Sequence, residues 1–420
     1  MKATDTLRGT SQKALTHVLS GLGADAEQLS AELVELRREL HRTPELGLHL
    51  PQTQRSILDR LEGLDGLEVS TGERQSSVTA VLRGQAEHQG KRPVVLLRGD
   101  MDALPVAEET QLEFSSHVAG QMHACGHDLH VAGLYGALRL LHARRHQLSA
   151  DVVFMFQPGE EAYHGARYMV EDGVLQAAGR SVDAAYGLHV FSATYDTGVF
   201  YSRPGTVMAG CEEFFVTIHG SGGHGSLPHL AKDPVPVAAE IIVALQNMVT
   251  RSYNVFDPVV ATVGRLQSGQ AGNIIPDTAS FDISLRLFSS ANKEKLLRDV
   301  ARLIEGIASA HGLRASYSLA PDYPVTVNDS AEHRFTERVV GELFGTEAFR
   351  EMPFPMTGSE DFSHVLNEVP GAFLALGARI GDSVETNHSP RADFDEAVLP
   401  RAAAALAGFA LGRPHWVEGR

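Results

Sequence analysis

The sequence predicts an α/β protein in two parts: a mostly parallel sheet flanked by helices, and a β-α-β-β-α-β segment of ferredoxin-like order. Short continuous apolar runs, at residues 93–97, 151–156 and 184–190, read as strands buried on both faces, with helical periodicity between them. After about residue 206 the runs lengthen and begin to alternate, as half-buried antiparallel strands do. At 420 residues the chain is also too long for one ordinary core.

Residues 28–42 predict an amphipathic helix, with Leu29, Leu33, Leu36 and Leu40 on one face and Pro44 ending it. The strand at 93–97 is followed by Arg98-Gly-Asp-Met-Asp102, expected as a polar loop. Residues 128–142 predict a helix with Val131, Leu134, Leu138 and Leu141 inward. Gln157-Pro-Gly-Glu-Glu161 follows the strand at 151–156, and the strand at 184–190 contains His189. Polar clusters beyond strand ends are where parallel sheets place their sites.

In the second part, a strand at 213–219 leads into the Gly-rich turn 220–225, then a helix at 234–250 and a strand at 259–265. Phe281, Ile283, Leu285 and Leu287 alternate with polar residues in the next strand. A helix at 292–311, with Leu296, Val300, Leu303 and Ile307 inward and Gly312 as C-cap, precedes a strand at 313–319. The expected division is a catalytic domain of residues 1–206 and 321–420, with residues 207–320 inserted as a lid and dimerisation domain.

Composition narrows the function. Apolar residues at 43% and charged residues at 21% are ordinary for a globular chain, which argues against disorder. A net charge of −16 argues against nucleic acid and against an anionic membrane surface. Two cysteines, Cys125 and Cys211, are too few for a disulfide framework. Residues 1–20 contain no apolar run fit for a leader, and no stretch approaches the roughly 18 apolar residues of a membrane span. A reducing cytoplasm is the expected compartment.

Chemistry concentrates in Met122-His-Ala-Cys-Gly-His-Asp128, Gly159-Glu-Glu161, Gly187-Leu-His189 and Asn387-His-Ser-Pro390. They offer Cys125, His127, Glu160, Glu161, His189 and His388, the donor set of zinc, manganese or cobalt. A thiolate or carboxylate can bridge two such ions. Of two adjacent glutamates, one can bind metal while its neighbour moves protons. Each piece has a bland alternative: a lone cysteine is usually a small buried hydrophobe, a Glu-Glu pair a solvated face, and His189 a core histidine. His123, His130 and His164 read as structural.

These segments resemble the amidohydrolase branch of the aminoacylase and carboxypeptidase-type two-metal peptidases, which includes hippurate hydrolases and plant hydrolases of auxin–amino acid conjugates. Matching text runs in order through Arg98-Gly-Asp-Met-Asp-Ala-Leu-Pro105, Met122 to Asp128, Gln157 to Glu161, Gly223-His-Gly-Ser-Leu-Pro-His229, Asn273-Ile-Ile-Pro276, Gly358-Ser-Glu-Asp-Phe362 and Asn387-His388. The Cys-Gly-His-Asp run is the most specific, because the wider family has aspartate where this branch has cysteine.

The resemblance implies that Cys125 bridges two divalent ions (zinc, manganese or cobalt) and that His127, Glu161, His189 and His388 complete their ligands. Glu160 would be the general base and Asp102 the carboxylate behind the site. His224 would reach a neighbouring subunit's site and hold the developing oxyanion, while Asn273, Arg286 and Gly358 would bind substrate. One departure is Ala162-Tyr-His-Gly165, where the branch usually continues with glycines; Tyr163 and His164 bear on the acyl pocket.

The expected activity is hydrolysis of the amide bond of small N-acyl amino acids by a metal-activated water. The expected protein is a homodimer or higher homo-oligomer with a small-molecule substrate. A dipeptidase or carboxypeptidase would use the same mechanism. A cysteine-nucleophile hydrolase leaves Glu160, Glu161 and His388 without a role, and an inactive binding protein leaves a complete donor set unexplained. The turn at 220–225 lacks the Lys-Ser/Thr of a phosphate-binding loop.

Overall fold

The computed structural model describes residues 13–88, 90–321 and 323–416. Residues 1–12, most of the stretch read for a leader, lie outside them. Two compact units are present. One takes the chain up to Val207 together with Val327–Phe354 and His364–Arg420; the other takes Met208–Thr326 and Pro355–Ser363.

In chain order the first unit contributes helix α1 (Ser30–Arg42), strands β1 (Leu67–Thr71), β2 (Val78–Leu82) and β3 (Val94–Asp100), helix α2 (His127–Ala143), and strands β4 (Asp151–Gln157), β5 (Ala184–Phe191) and β6 (Phe200–Ser202). The second contributes β7 (Gly210–His219), β8 (Gly223–His224), α3 (Pro234–Ser252), β9 (Val259–Ser268), β10 (Ile274–Ile275), β11 (Thr278–Leu287), α4 (Ser290–Ala310) and β12 (Arg314–Leu319). The chain then returns to the first unit with α5 (Ser330–Phe344), β13 (Phe349–Glu351), β14 (Gly371–Gly377) and α6 (Leu399–Gly412).

The first unit is built on a mixed sheet of order β1-β2-β4-β3-β5-β14-β6-β13. Its centre, β4-β3-β5-β14, is parallel, and β1, β2 and β6 add antiparallel pairs on either side. Central strands are buried along their whole length, which the continuous apolar runs require. Arg98, Gly99 and Asp100, expected in a loop, are instead the last three residues of β3 and buried. Their charges tolerate burial because Arg98 Nη1 pairs with Asp100 Oδ2 at 2.9 Å and Arg98 Nε donates to Gln157 Oε1 at 2.8 Å. Helix α2 is buried on nearly every side, leaving only Arg139, His142 and Ala143 out, because α1 and α6 both pack on it. The approach is close: a Cβ on Gly136 would lie 2.7 Å from the Cβ of Ala403 on α6.

The second unit follows the β-α-β-β-α-β order in an antiparallel sheet β9-β11-β7-β12. Buried Phe281, Ile283, Leu285 and Leu287 face α3 and α4. On α4 the buried stripe is Leu296, Val300, Ile304 and Ala308; Leu303 and Ile307, expected inward, sit at its edge. The buried row runs at i, i+4, and Leu303 and Ile307 flank it on the same apolar stripe, packed against the core from its edge. Among the described residues no helix is long and apolar enough to cross a membrane.

Candidate metal centre

The first unit brings Cys125, His127, Glu160, Glu161, His189 and His388 together. Cys125 lies two residues before His127, the first residue of α2. Glu160 and Glu161 sit on the turn after β4, while His189 lies inside β5. His388 arrives on a loop after β14. Cys125 Sγ lies 3.3 Å from His189 Nε2 and 3.2 Å from His388 Nε2, and His388 Nε2 is 3.2 Å from Glu161 Oε1.

Two ligand sets emerge, and they share one atom. Donor atoms of Cys125, His127 and His189 lie within 4.8 Å of one another, as do those of Cys125, Glu161 and His388. A third group joins His127 to Glu160 and Glu161. His127 is fully buried, and among the described residues neither ring nitrogen makes a hydrogen bond, Asp100 Oδ2 and Asp102 Oδ1 standing off at 3.4 and 3.5 Å, which a buried imidazole rarely tolerates. The donor set therefore fits divalent metal: soft and borderline donors facing one another at distances that only a cation or a proton reconciles.

Electrostatics point the same way. Hydrogen bonds to Cys125 and Glu161 push His388 up to about 10. Burial, then the Glu161 charge, push the Cys125 thiol above its ordinary range, the opposite of an activated nucleophile. Burial, then His130, hold His189 well below the usual imidazole range, so it is a neutral donor.

Supporting groups set the ligand orientations. Asp102 accepts the backbone N–H of Glu160 on Oδ1 at 2.9 Å and that of Glu161 on Oδ2 at 3.0 Å, fixing the turn that carries both glutamates. Asp100, not singled out from sequence, places Oδ2 3.4 Å from His127 Nε2. Asn387 Nδ2 donates to the carbonyls of Val190 and Cys125 at 2.9 and 3.1 Å, tying the His388 loop to β5 and to the turn before α2. His388 itself holds φ at 72°, pinned by its N–H to Ala124 O at 2.8 Å. Spacing could have revealed one of the missed groups: His127 and His130 are three apart on a helix and share a face.

Gly126, between the two ligands Cys125 and His127, has φ 86° and caps α2. A Cβ there would meet Val190 Cγ2 at 2.5 Å and the Phe394 ring at 3.0 Å. Gly126→Ala is expected to cost about 1–2 kcal/mol for the left-handed backbone and about 1–3 kcal/mol for overpacking. A thermal melt should show a lowered Tm, and metal analysis a lowered content.

The remaining expected residues lie in the second unit. His224 is in β8, paired with Ile274 of β10, and exposed. Its Nδ1 accepts the N–H of Ser226 at 3.2 Å, so the neutral ring carries its proton on Nε2 and presents a donor outward. Asn273 is exposed beside it, its carbonyl accepting Gly225 N–H at 2.8 Å. Arg286 Nη1 donates to Ser359 Oγ at 2.9 Å, next to exposed Gly358.

Residues 96–412 match the model of peptidase family M20/M25/M40. The chain is 38% identical to an IAA-amino acid hydrolase (ILR1-like 2) of Arabidopsis thaliana over 90% of this chain and 84% of that one. It is 35% identical to thermostable carboxypeptidase 2 of Saccharolobus solfataricus, covering 92% and 96%. It is 33% identical to the N-acetylcysteine deacetylase of Bacillus subtilis, covering 90% and 96%. A crystal structure from methicillin-resistant Staphylococcus aureus superposes with TM-score 0.85 at 31% identity, covering 93% of this chain and 98% of that one. The YXEP protein of Bacillus subtilis, described as a dinuclear metal binding peptidase of the M20 family, gives TM-score 0.78 at 31% identity, covering 92% and 98%.

Proposed function

Since the chain belongs to peptidase family M20/M25/M40, we propose that it is a metal-dependent amidohydrolase that releases the amino acid from small N-acyl amino acids at a two-metal centre. The observation that carries this reading is the pair of donor sets sharing Cys125, with Glu160 beside them. Relatives that hydrolyse auxin–amino acid conjugates and deacetylate N-acetylcysteine support it. Carboxypeptidase action on small peptides is the second reading, favoured by the carboxypeptidase relative; both reactions break an amide next to a free α-carboxylate.

Cys125, His127 and His189 would hold one ion, and Cys125, Glu161 and His388 the other, with the thiolate common to both. The thiolate and imidazoles suit zinc, cobalt or manganese. Two bound ions supply Lewis acidity, polarising the amide carbonyl and lowering the pKa of water to about 7. Glu160 takes the proton of the attacking water and delivers it to the amine nitrogen as the C–N bond breaks. His224 Nε2–H donates to the oxyanion, and Asn273 to the carbonyl oxygen. Arg286, oriented by Ser359 and next to Gly358, pairs with the substrate carboxylate. We further read the second unit as the lid and dimerisation domain of a homodimer. The unpaired Cys125 and Cys211 fit a reducing cytoplasm.

The test is turnover on acetyl, benzoyl, indole-acetyl and long-chain acyl amino acids, each with zinc, manganese and cobalt, beside a dipeptide panel. Chelation should abolish turnover and added metal restore it. Cys125→Ala should lose metal at both positions, and His388→Ala at one, by metal analysis of purified protein. Full double occupancy in Cys125→Ala would sink the shared-thiolate assignment.

A further inference from the structure

His130 lies outside both donor sets yet touches both imidazoles of one of them. Its ring stacks on His127 with centroids 5.3 Å apart and meets His189 edge-on at 4.7 Å. It is buried beneath them on the first turns of α2. His130 Nδ1 is 2.5 Å from Asp100 Oδ1, and His130 Nε2 accepts the backbone N–H of Val190 at 2.8 Å. An amide N–H can only donate, so Nε2 is unprotonated and Nδ1 carries the proton to Asp100. Both nitrogens are thereby committed, and although His130, Asp100 and His127 offer donor atoms within 4.8 Å of one another, His130 has no lone pair left for an ion.

Two short routes lead from His130 to the ligands. Through Asp100, whose second oxygen is 3.4 Å from His127 Nε2, it fixes the carboxylate that faces His127. Through Val190, whose N–H it accepts and whose carbonyl accepts His189 Nδ1–H at 2.8 Å, it holds the residue that sets the tautomer of His189 and turns its Nε2 toward Cys125. The connections to the other position are longer: the backbone of Glu161 is held by Asp102, and the His388 loop reaches Val190 only through Asn387 Nδ2 at 2.9 Å while the N–H of His388 is held separately by Ala124 O.

We propose that His130 is a positioning residue that seats His127 and His189 together, and so governs metal binding at their position selectively over the Glu161–His388 position. This rests on the two-metal reading above. Groups that orient metal ligands typically change affinity by about 10–100-fold when removed.

The test is calorimetric titration of apo protein with zinc, read for stoichiometry and for each affinity. Wild type should take two ions; fewer would overturn the two-metal reading itself. His130→Ala should keep one tight ion and bind the other about 10–100-fold more weakly, and added imidazole should recover part of the loss by restoring the donor and acceptor. His130→Gln, which retains a donor and an acceptor, should lie between. Two ions at wild-type affinity in His130→Ala, or equal weakening of both, overturns the proposal. Nitrogen NMR of histidine-labelled wild type needs no variant: His130 should be neutral with its proton on Nδ1, and a proton on Nε2 overturns the proposal whether or not the variants fold.

Discussion

Glu160→Gln is expected to keep the fold and both ions while turnover falls by about 10²–10⁴-fold. The glutamate is buried, 8% exposed, and its backbone N–H is held by Asp102, so the side chain enters the centre from a fixed turn. Its carboxylate lies within 4.8 Å of the donor atoms of His127 and Glu161. Hydrolysis requires that a proton leave the attacking water and reach the departing nitrogen. A carboxylate beside the reacting atoms can carry it across; a carboxamide of the same shape cannot accept it. The adjacent Glu161 does not substitute, because its Oε1 faces His388 at 3.2 Å and it is assigned to a ligand set. Metal analysis and a melting curve separate this outcome from loss of the site. Turnover near wild type in a metal-replete variant removes Glu160 from the mechanism.

Much of the centre was legible because its donors are unusual residue types in short motifs. Cys125, His127, Glu160, Glu161, His189 and His388 converge although His189 and His388 are far apart in sequence. Their supports were less visible. A buried Asp100 at the end of β3 looks like a loop residue in sequence, because a charged strand end is affordable only with Arg98 and His130 as partners. His130 looks like any helix histidine until its two nitrogens are traced. Helix α2 shows an apolar face in sequence but is buried nearly all round, since α1 covers one side and α6, more than 250 positions later, another. Strand β2 and helices α5 and α6 were not anticipated for the same reason: they pack on distant segments, and periodicity sees only neighbours; β1, paired with the adjacent β2, is largely exposed and carries no apolar run.

His224→Ala is expected to lower kcat by about 10²–10³-fold, the usual loss for one oxyanion donor, with metal content unchanged. His224 is exposed and among the described residues its Nδ1 hydrogen-bonds only with Ser226, so removing the ring costs little packing. What it removes is an Nε2–H whose direction is set in advance: Nδ1 is occupied by the Ser226 N–H, and the two-residue pairing of β8 with β10 holds the backbone. A donor fixed before the reaction needs no reorganisation when charge develops on the carbonyl oxygen, which is why its loss should fall on kcat more than on KM. A histidine that merely finished a Gly-rich turn would lower Tm slightly and leave kcat alone. If the donor is supplied across a dimer, inactive His224→Ala subunits mixed with inactive Glu160→Gln subunits should regain activity. Random pairing makes half the dimers mixed, each with one site holding both residues, so recovery should approach about a quarter of wild type. Verified mixed dimers without recovery would place the donation within one chain, and an unchanged kcat in His224→Ala itself would remove His224 from oxyanion binding.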